Sequence, residues 1–188
     1  MTSARLDSLV TTDLPPAELQ AARLDGEVYA VAEAYFASDA PPTTAARGQA
    51  LRAGLPERVI AERRTAAWLW GAAPTLGGRW ELCASIEARV RPSSVRPHRL
   101  REVTHSPGEV VWQGGMPVTT PLRTVLDLLR ADDLCADEYA IVRELLGFGA
   151  VSTGAVVAAL QSRRNLPGRT RALARFAEVV ESQPALTR

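Results

Sequence analysis

The chain has 188 residues, 46% of them hydrophobic, with a formal net charge of +1, so a packed core is expected and bulk charge does not argue for a polyanionic partner. All 22 basic residues are Arg, which excludes mechanisms that need a Lys: a P-loop gripping phosphates, a pyridoxal Schiff base, a Lys-dependent nuclease. Cys83 and Cys135 form no CxxC pair or zinc ligand set, no apolar run approaches the roughly 20 residues that span a bilayer, and residues 1–12 lack the apolar stretch of a signal peptide, so the expectation is a cytoplasmic protein with no metal and no cofactor.

In chain order, residues 13–23 read as a short helix, because Pro15 and Pro16 suit a first helical turn and Gly26 follows as a stop. Glu27–Glu33 alternates like a strand, and Tyr35 and Phe36 extend it or return it. Thr43 or Thr44 caps a helix from Ala45 to about Ala53, broken by Gly54 and Pro56. Val59–Ala61 reads as a brief strand. Arg64–Trp70 reads as a helix closed by Gly71. Trp80–Glu87 alternates cleanly, which places Trp80, Leu82, Ala84 and Ile86 on one buried face and Glu81, Cys83, Ser85 and Glu87 on the other. Leu100–Thr104 and Glu109–Gln113 read as strands, and Gly114-Gly115 as a turn. From Thr120 the pattern is helical. Thr120-Pro121 is a cap and first turn, with Leu122, Val125, Leu126 and Leu129 at helical spacing. Helices follow over 137–147, 153–164 and 170–180, with a turn at Asn165–Gly168. Strands in the middle and helices after them make the fold α+β.

Charge is distributed unevenly. Residues 61–110 and 151–188 are basic, and residues 1–60 and 111–150 are acidic. If the basic segments fold to one face, they meet a polyanion or an acidic protein surface; if not, they are solvated arginines. The candidates for nucleic-acid binding are Arg89, Arg91, Arg96, Arg99 and Arg101 around the Pro92–Pro97 loop, with Arg163, Arg164, Arg169 and Arg171 flanking the later turn. Arginine forks suit phosphate oxygens. Arg175 extends the second group.

Four segments in order resemble the AbiEi-type antitoxin and regulator family of bacteria. Leu24–Tyr35 is similar to that family's wing hairpin. Arg63–Gly71, with Arg64, Thr65, Trp68 and Gly71, is similar to its R-T-A-A-x-L-x-G helix. Gly114–Leu128 is similar to its V-T-x-P-x-R-T-x-x-D-L block, carried here by Thr119, Pro121, Arg123, Thr124 and Asp127. Asn165–Leu173 is similar to the opening of its last helix. The resemblance implies a winged-helix DNA-binding region joined to an α/β domain, with a nucleotidyltransferase-like toxin as partner and repression of the protein's own operon. It divides this chain into a reduced winged-helix-like segment, residues 1–43, and a mixed α/β domain with a helical C-terminus, residues 44–188.

Two departures qualify what is carried over. Few residues precede the first helix, and where the family's recognition helix and wing carry cations this chain has Glu18, Gln20, Glu27 and Glu33, with Arg23 the one base. Phosphate neutralisation supplies most non-specific DNA affinity, so any nucleic-acid contact is expected on the Arg-rich loops. Arg123 and Asp127 are an i,i+4 pair on one helical face, and neither nucleophile nor base accompanies them. His98 and His105 fit no metal motif. Trp68 and Trp70 face different sides of their helix, one toward the core and one toward a partner. The expectation is a non-enzymatic, antitoxin-like binding protein or transcriptional regulator. The alternatives are a stand-alone regulator without a toxin, or the non-catalytic remnant of a protein with a very-short-patch-repair-like nuclease domain.

Overall fold

A computed structural model describes residues 9–10, 14–32, 34–39, 42–53, 55–87, 98–162 and 167–182. The described residues form an α+β fold with two sheets. The first is small and antiparallel. β1 (Leu9–Val10) pairs with β3 (Ala34–Ala37), which returns along β2 (Val28–Val31), in the order β1-β3-β2. Helix α1 (Pro16–Leu24) precedes the hairpin, starts on Pro at its first turn, and buries Leu19 alone. Gln20 Nε2 donates to the Tyr35 hydroxyl at 3.1 Å, tying helix to hairpin. A helix followed by a hairpin is the order of a recognition helix and wing, but among the described residues no second helix precedes α1.

Helix α2 (Thr44–Arg52) is capped by Thr43, whose hydroxyl accepts from the Ala46 amide at 3.2 Å. Phe36 of the hairpin, fully buried, packs on Ala46 and Ala50 of this helix. The hairpin therefore shares a core with residues on the far side of position 43. The main sheet follows, built from β4 (Ile60–Ala61), β5 (Trp80–Ser85), β6 (His98–Val103), β7 (Val110–Gln113) and β8 (Met116–Thr119), in the order β6-β5-β4-β8-β7. β4 runs antiparallel to β5 and parallel to β8, β5 and β6 are parallel, and β7–β8 is a hairpin.

Register sets the two faces, since residues directly opposed on paired strands share one. Ala61 opposes Leu82 and lies beside Val118, so these point with Trp80 and Met116 into the main core. α3 (Arg63–Leu69), α4 (Pro121–Arg130), α5 (Ala136–Gly147), α6 (Thr153–Ser162) and α7 (Arg169–Glu181) complete that core. Ile60 opposes Cys83, Cys83 opposes Arg101, and Pro117 opposes Trp112 on the other face.

The strand phase of Trp80, Leu82 and Ala84 is as expected. Ile86 departs from it, being 48% exposed. β5 ends at Ser85 and Ile86 lies in the following turn, so alternation no longer governs where it points. Val125, Leu126 and Leu129 are buried and Leu122, at the first turn of α4, is half-buried. β8 is an addition to the expected strands: Met116–Thr119 is buried throughout and lacks the alternation by which strands are recognised. Among the described residues no helix is long and apolar enough to cross a membrane.

Candidate functional site

The second face of the sheet carries a buried polar network where β4 gives way to α3. Glu62, the residue after β4, is 1% exposed. Arg101 on β6 grips it with a fork, Nε to Oε1 at 2.7 Å and Nη2 to Oε2 at 2.6 Å. Burial raises the Glu62 pKa and the arginine opposes that rise. Cys83, fully buried beside them, has its thiol pushed far up by burial and by the Glu62 charge, which leaves it inert as a nucleophile. Its Sγ lies 3.6 Å from His105 Nε2. The His105 pKa is lowered, by burial first and then by Arg123.

The Thr-Pro block opens α4. Thr120 caps the helix by accepting from the Arg123 amide at 3.3 Å. Arg123, 5% exposed, donates Nε to Asp127 Oδ2 at 2.8 Å and Nη1 to Glu109 Oε2 at 2.6 Å. Thr124 donates to the Thr120 carbonyl at 2.9 Å and meets the Thr119 hydroxyl at 2.8 Å. These are the contacts of a helix start locked to β7 and β8. The Arg64 block is similar in kind. The Arg64 amide and Thr65 hydroxyl bind Glu81, the Arg64 guanidinium reaches Glu138 at 3.1 Å, and Gly71 closes the helix at φ +85. Trp68, 4% exposed, lies 5.1 Å beneath the Arg47 guanidinium. Trp70 is half-buried and donates to the Thr119 carbonyl at 2.9 Å, so it braces the body from inside.

Beyond this network the arginines of distant segments meet. Arg99 and Arg101 stand on β6. Arg171 of α7 donates to Asp132 Oδ1 at 2.7 Å and to the Arg130 carbonyl at 2.9 Å. Arg99 faces Asp133, next in the chain, at 3.9 Å. Arg130 donates to the Pro167 carbonyl at 2.9 Å. Arg63, Arg101, Arg130 and Arg171 wall a cleft of about 210 Å³ together with Asp127 and Asp132. Arg169 stands at the first position of α7, half-buried. Arg175, turned inward, donates to the Leu129 and Ala131 carbonyls. Arg89, Arg91, Arg96, Arg163 and Arg164 lie outside the described residues.

Two of the sequence candidates, Arg101 and Arg171, thus share one cleft, joined by Arg63 and Arg130, which segment charge did not single out. Arg130 sits in an acidic stretch, and Arg63, though within the basic stretch 61–110, stands apart from the Arg89–Arg101 loop. Arg101 is committed to Glu62 and so supports the cleft's wall as well as lining it. A second cavity, about 750 Å³, opens on the same face of the sheet against Ile60, Val110 and Pro117, with Trp112 66% exposed at its side. Among the Trp residues, Trp68 and Trp80 are core and Trp112 is exposed. Among the described residues no group of three or more His, Cys, Asp or Glu could hold a metal ion. A comparison of the chain with models of known protein families finds no match, and neither does a comparison with characterised proteins.

Proposed function

We propose that this chain is a non-enzymatic binding protein of the antitoxin and regulator type that holds nucleic acid on its arginine-rich end. The observation that carries the reading is the convergence of two basic segments about 70 residues apart in sequence: Arg99 and Arg101 on β6, and Arg171 on α7, all bound to or lining the Asp132–Asp133 corner. Arg99 and Arg171 keep side chains 47% and 42% exposed, so they remain available to phosphates. The first helix and hairpin suit this role less, since Glu18, Asp25 and Glu27 are exposed there and would repel phosphate. The buried Arg123–Asp127 pair serves structure, and the inert Cys83 offers no nucleophile.

A salt titration of DNA binding tests this. The double substitution Arg99→Gln with Arg171→Gln leaves the Arg101–Glu62 fork intact. It should weaken binding uniformly across sequences and flatten the dependence of log K on log salt by about one unit per lost phosphate contact. Gln20→Ala with Arg23→Ala on α1 should change it less. Unchanged binding in the first variant with loss in the second would place the contact on the helix and hairpin. No binding by any form would turn the reading to a protein partner, such as the nucleotidyltransferase-like toxin that the family resemblance implies, with the cavity beside Trp112 as the surface to test.

A further inference from the structure

Arg63 differs from the arginines around it. It opens α3 at φ +46, in the left-handed region where a long side chain is strained. Its side chain is 9% exposed and faces Glu81 Oε1 at 3.7 Å, beyond hydrogen-bond reach. The other oxygen of that carboxylate accepts from the Arg64 amide. The Arg63 Nε is buried without a partner. Arg63 is thus a buried guanidinium with its Nε donor unspent, on the wall of the cleft. Strain and an unsatisfied buried donor on one residue mark a position whose bonding a ligand completes.

The rest of the cleft asks for an oxyanion. Arg101 spends Nε and Nη2 on Glu62 and keeps Nη1. Arg171 spends Nη2 on Asp132 and the Arg130 carbonyl and keeps Nε and Nη1. The two carboxylates of the lining are already engaged, Asp127 by Arg123 and Arg130, Asp132 by Arg171. α7 begins here at Gly168, and no side chain caps its first-turn amides, which adds an anion-favouring helix end to the guanidinium donors. At about 210 Å³ the cleft is smaller than the roughly 300 Å³ at which small-molecule sites begin. It suits one tetrahedral group and not a nucleoside.

We infer that the cleft takes a terminal phosphate of a nucleic-acid strand, with Arg63 as its inner ligand. This rests on the proposed nucleic-acid reading and specifies what that surface selects. An internal phosphodiester carries sugar on both sides and cannot bring its oxygens down to a buried guanidinium. A terminal phosphate projects three oxygens and close to two negative charges, a match for convergent forks.

The test uses short single-stranded oligonucleotides of one sequence, internally labelled, bearing a 5′-phosphate, a 3′-phosphate or neither, read by fluorescence anisotropy. One phosphorylated form should bind about tenfold tighter than the unphosphorylated form, the worth of one charge-assisted hydrogen bond. Inorganic phosphate should compete that advantage away. Arg63→Gln should abolish the preference, as should Arg171→Gln, which sits on the exposed rim and is expected to fold regardless. Arg63→Gly should abolish it while raising Tm, because glycine adopts φ +46 without strain and removes the buried Nε that has no hydrogen-bond partner; an Arg63 with a structural role alone would lower Tm. Equal binding of all three oligonucleotides would sink the terminal-phosphate site and leave the nucleic-acid reading standing. Phosphate-dependent stabilisation without oligonucleotide binding would sink the nucleic-acid reading and this ligand with it. A preference that persists in Arg63→Gln would remove Arg63 from the site.

Discussion

At the scale of residues, the molecule spends its charges in pairs. Glu62 and Asp127 are nearly inaccessible and each is held by an arginine. A carboxylate removed from water needs such a partner to remain ionised. Replacing one member of a pair leaves the other buried and alone, which is why Arg101 is a poor probe of binding and Arg99 a better one. His105 is the imidazole of this network. Its pKa is lowered from 6.5, by burial and then by Arg123, so below pH 6.5 the unfolded chain takes up the proton before the folded one does. Stability should therefore fall as pH drops from 6.5 toward the lowered folded value. The Glu62 pKa is raised from 4.5, so its contribution runs the other way, being lost as pH rises through the folded value. Urea midpoints of the wild type and His105→Gln across pH 5 to 8 isolate the histidine. The variant should lose the acid-side decline below 6.5, and an identical profile in both would show that His105 does not carry it.

Among the elements, α2 shows how one residue decides a close approach. Gly48 lies against the β7–β8 turn, where a Cβ would stand 1.9 Å from the Gln113 carbonyl oxygen. Gly114 in that turn, at φ +55, returns the contact, since its Cβ would lie 1.9 Å from the Ala45 carbonyl. Backbone meets backbone, so neither neighbour can rotate away. Gly48→Ala gains about 1 kcal/mol in helix propensity yet should destabilise the fold by about 1–3 kcal/mol through overpacking. Gly147, at the end of α5, has nothing within 4 Å of the same position, and Gly147→Ala should stabilise by about 0.5–1 kcal/mol. Chemical denaturation of the two variants reads the contrast. A Gly48→Ala midpoint at or above that of the wild type would mean that the helix stands off the turn.

For the molecule as a whole, the question is whether the hairpin belongs to the body. Phe36 is fully buried against Ala46 and Ala50, with Val31 and Ala34 beside them, and Val31 also packs on the main core. A chain lacking residues 1–43 uncovers that surface. It should lose about 3–5 kcal/mol, the cost of emptying a buried Phe site, with a urea midpoint shifted accordingly. A truncated chain that keeps the full-length midpoint would show that the first 43 residues fold as a separate unit.

Periodicity by itself determined the α+β class, the buried phase of Trp80, Leu82 and Ala84, and the α4 stripe, because each rests on local alternation or helical spacing against one hydrophobic layer. Arg-rich segments were equally visible, as composition. What local pattern could not decide was β8, where a strand buried throughout loses its alternation, and Ile86, where the strand ends one residue before the pattern does. Nor could it show that Arg101 serves Glu62, that Arg171 meets Asp132, or that Arg63 is buried with its Nε unpaired. Both of those pairs join residues 39 positions apart. Their pairing depends on the register of β4, β5 and β6 and on where α7 docks on α4. A guanidinium looks the same in sequence whether it faces water, a carboxylate or an empty cleft, and only the packed chain sets which of these it meets.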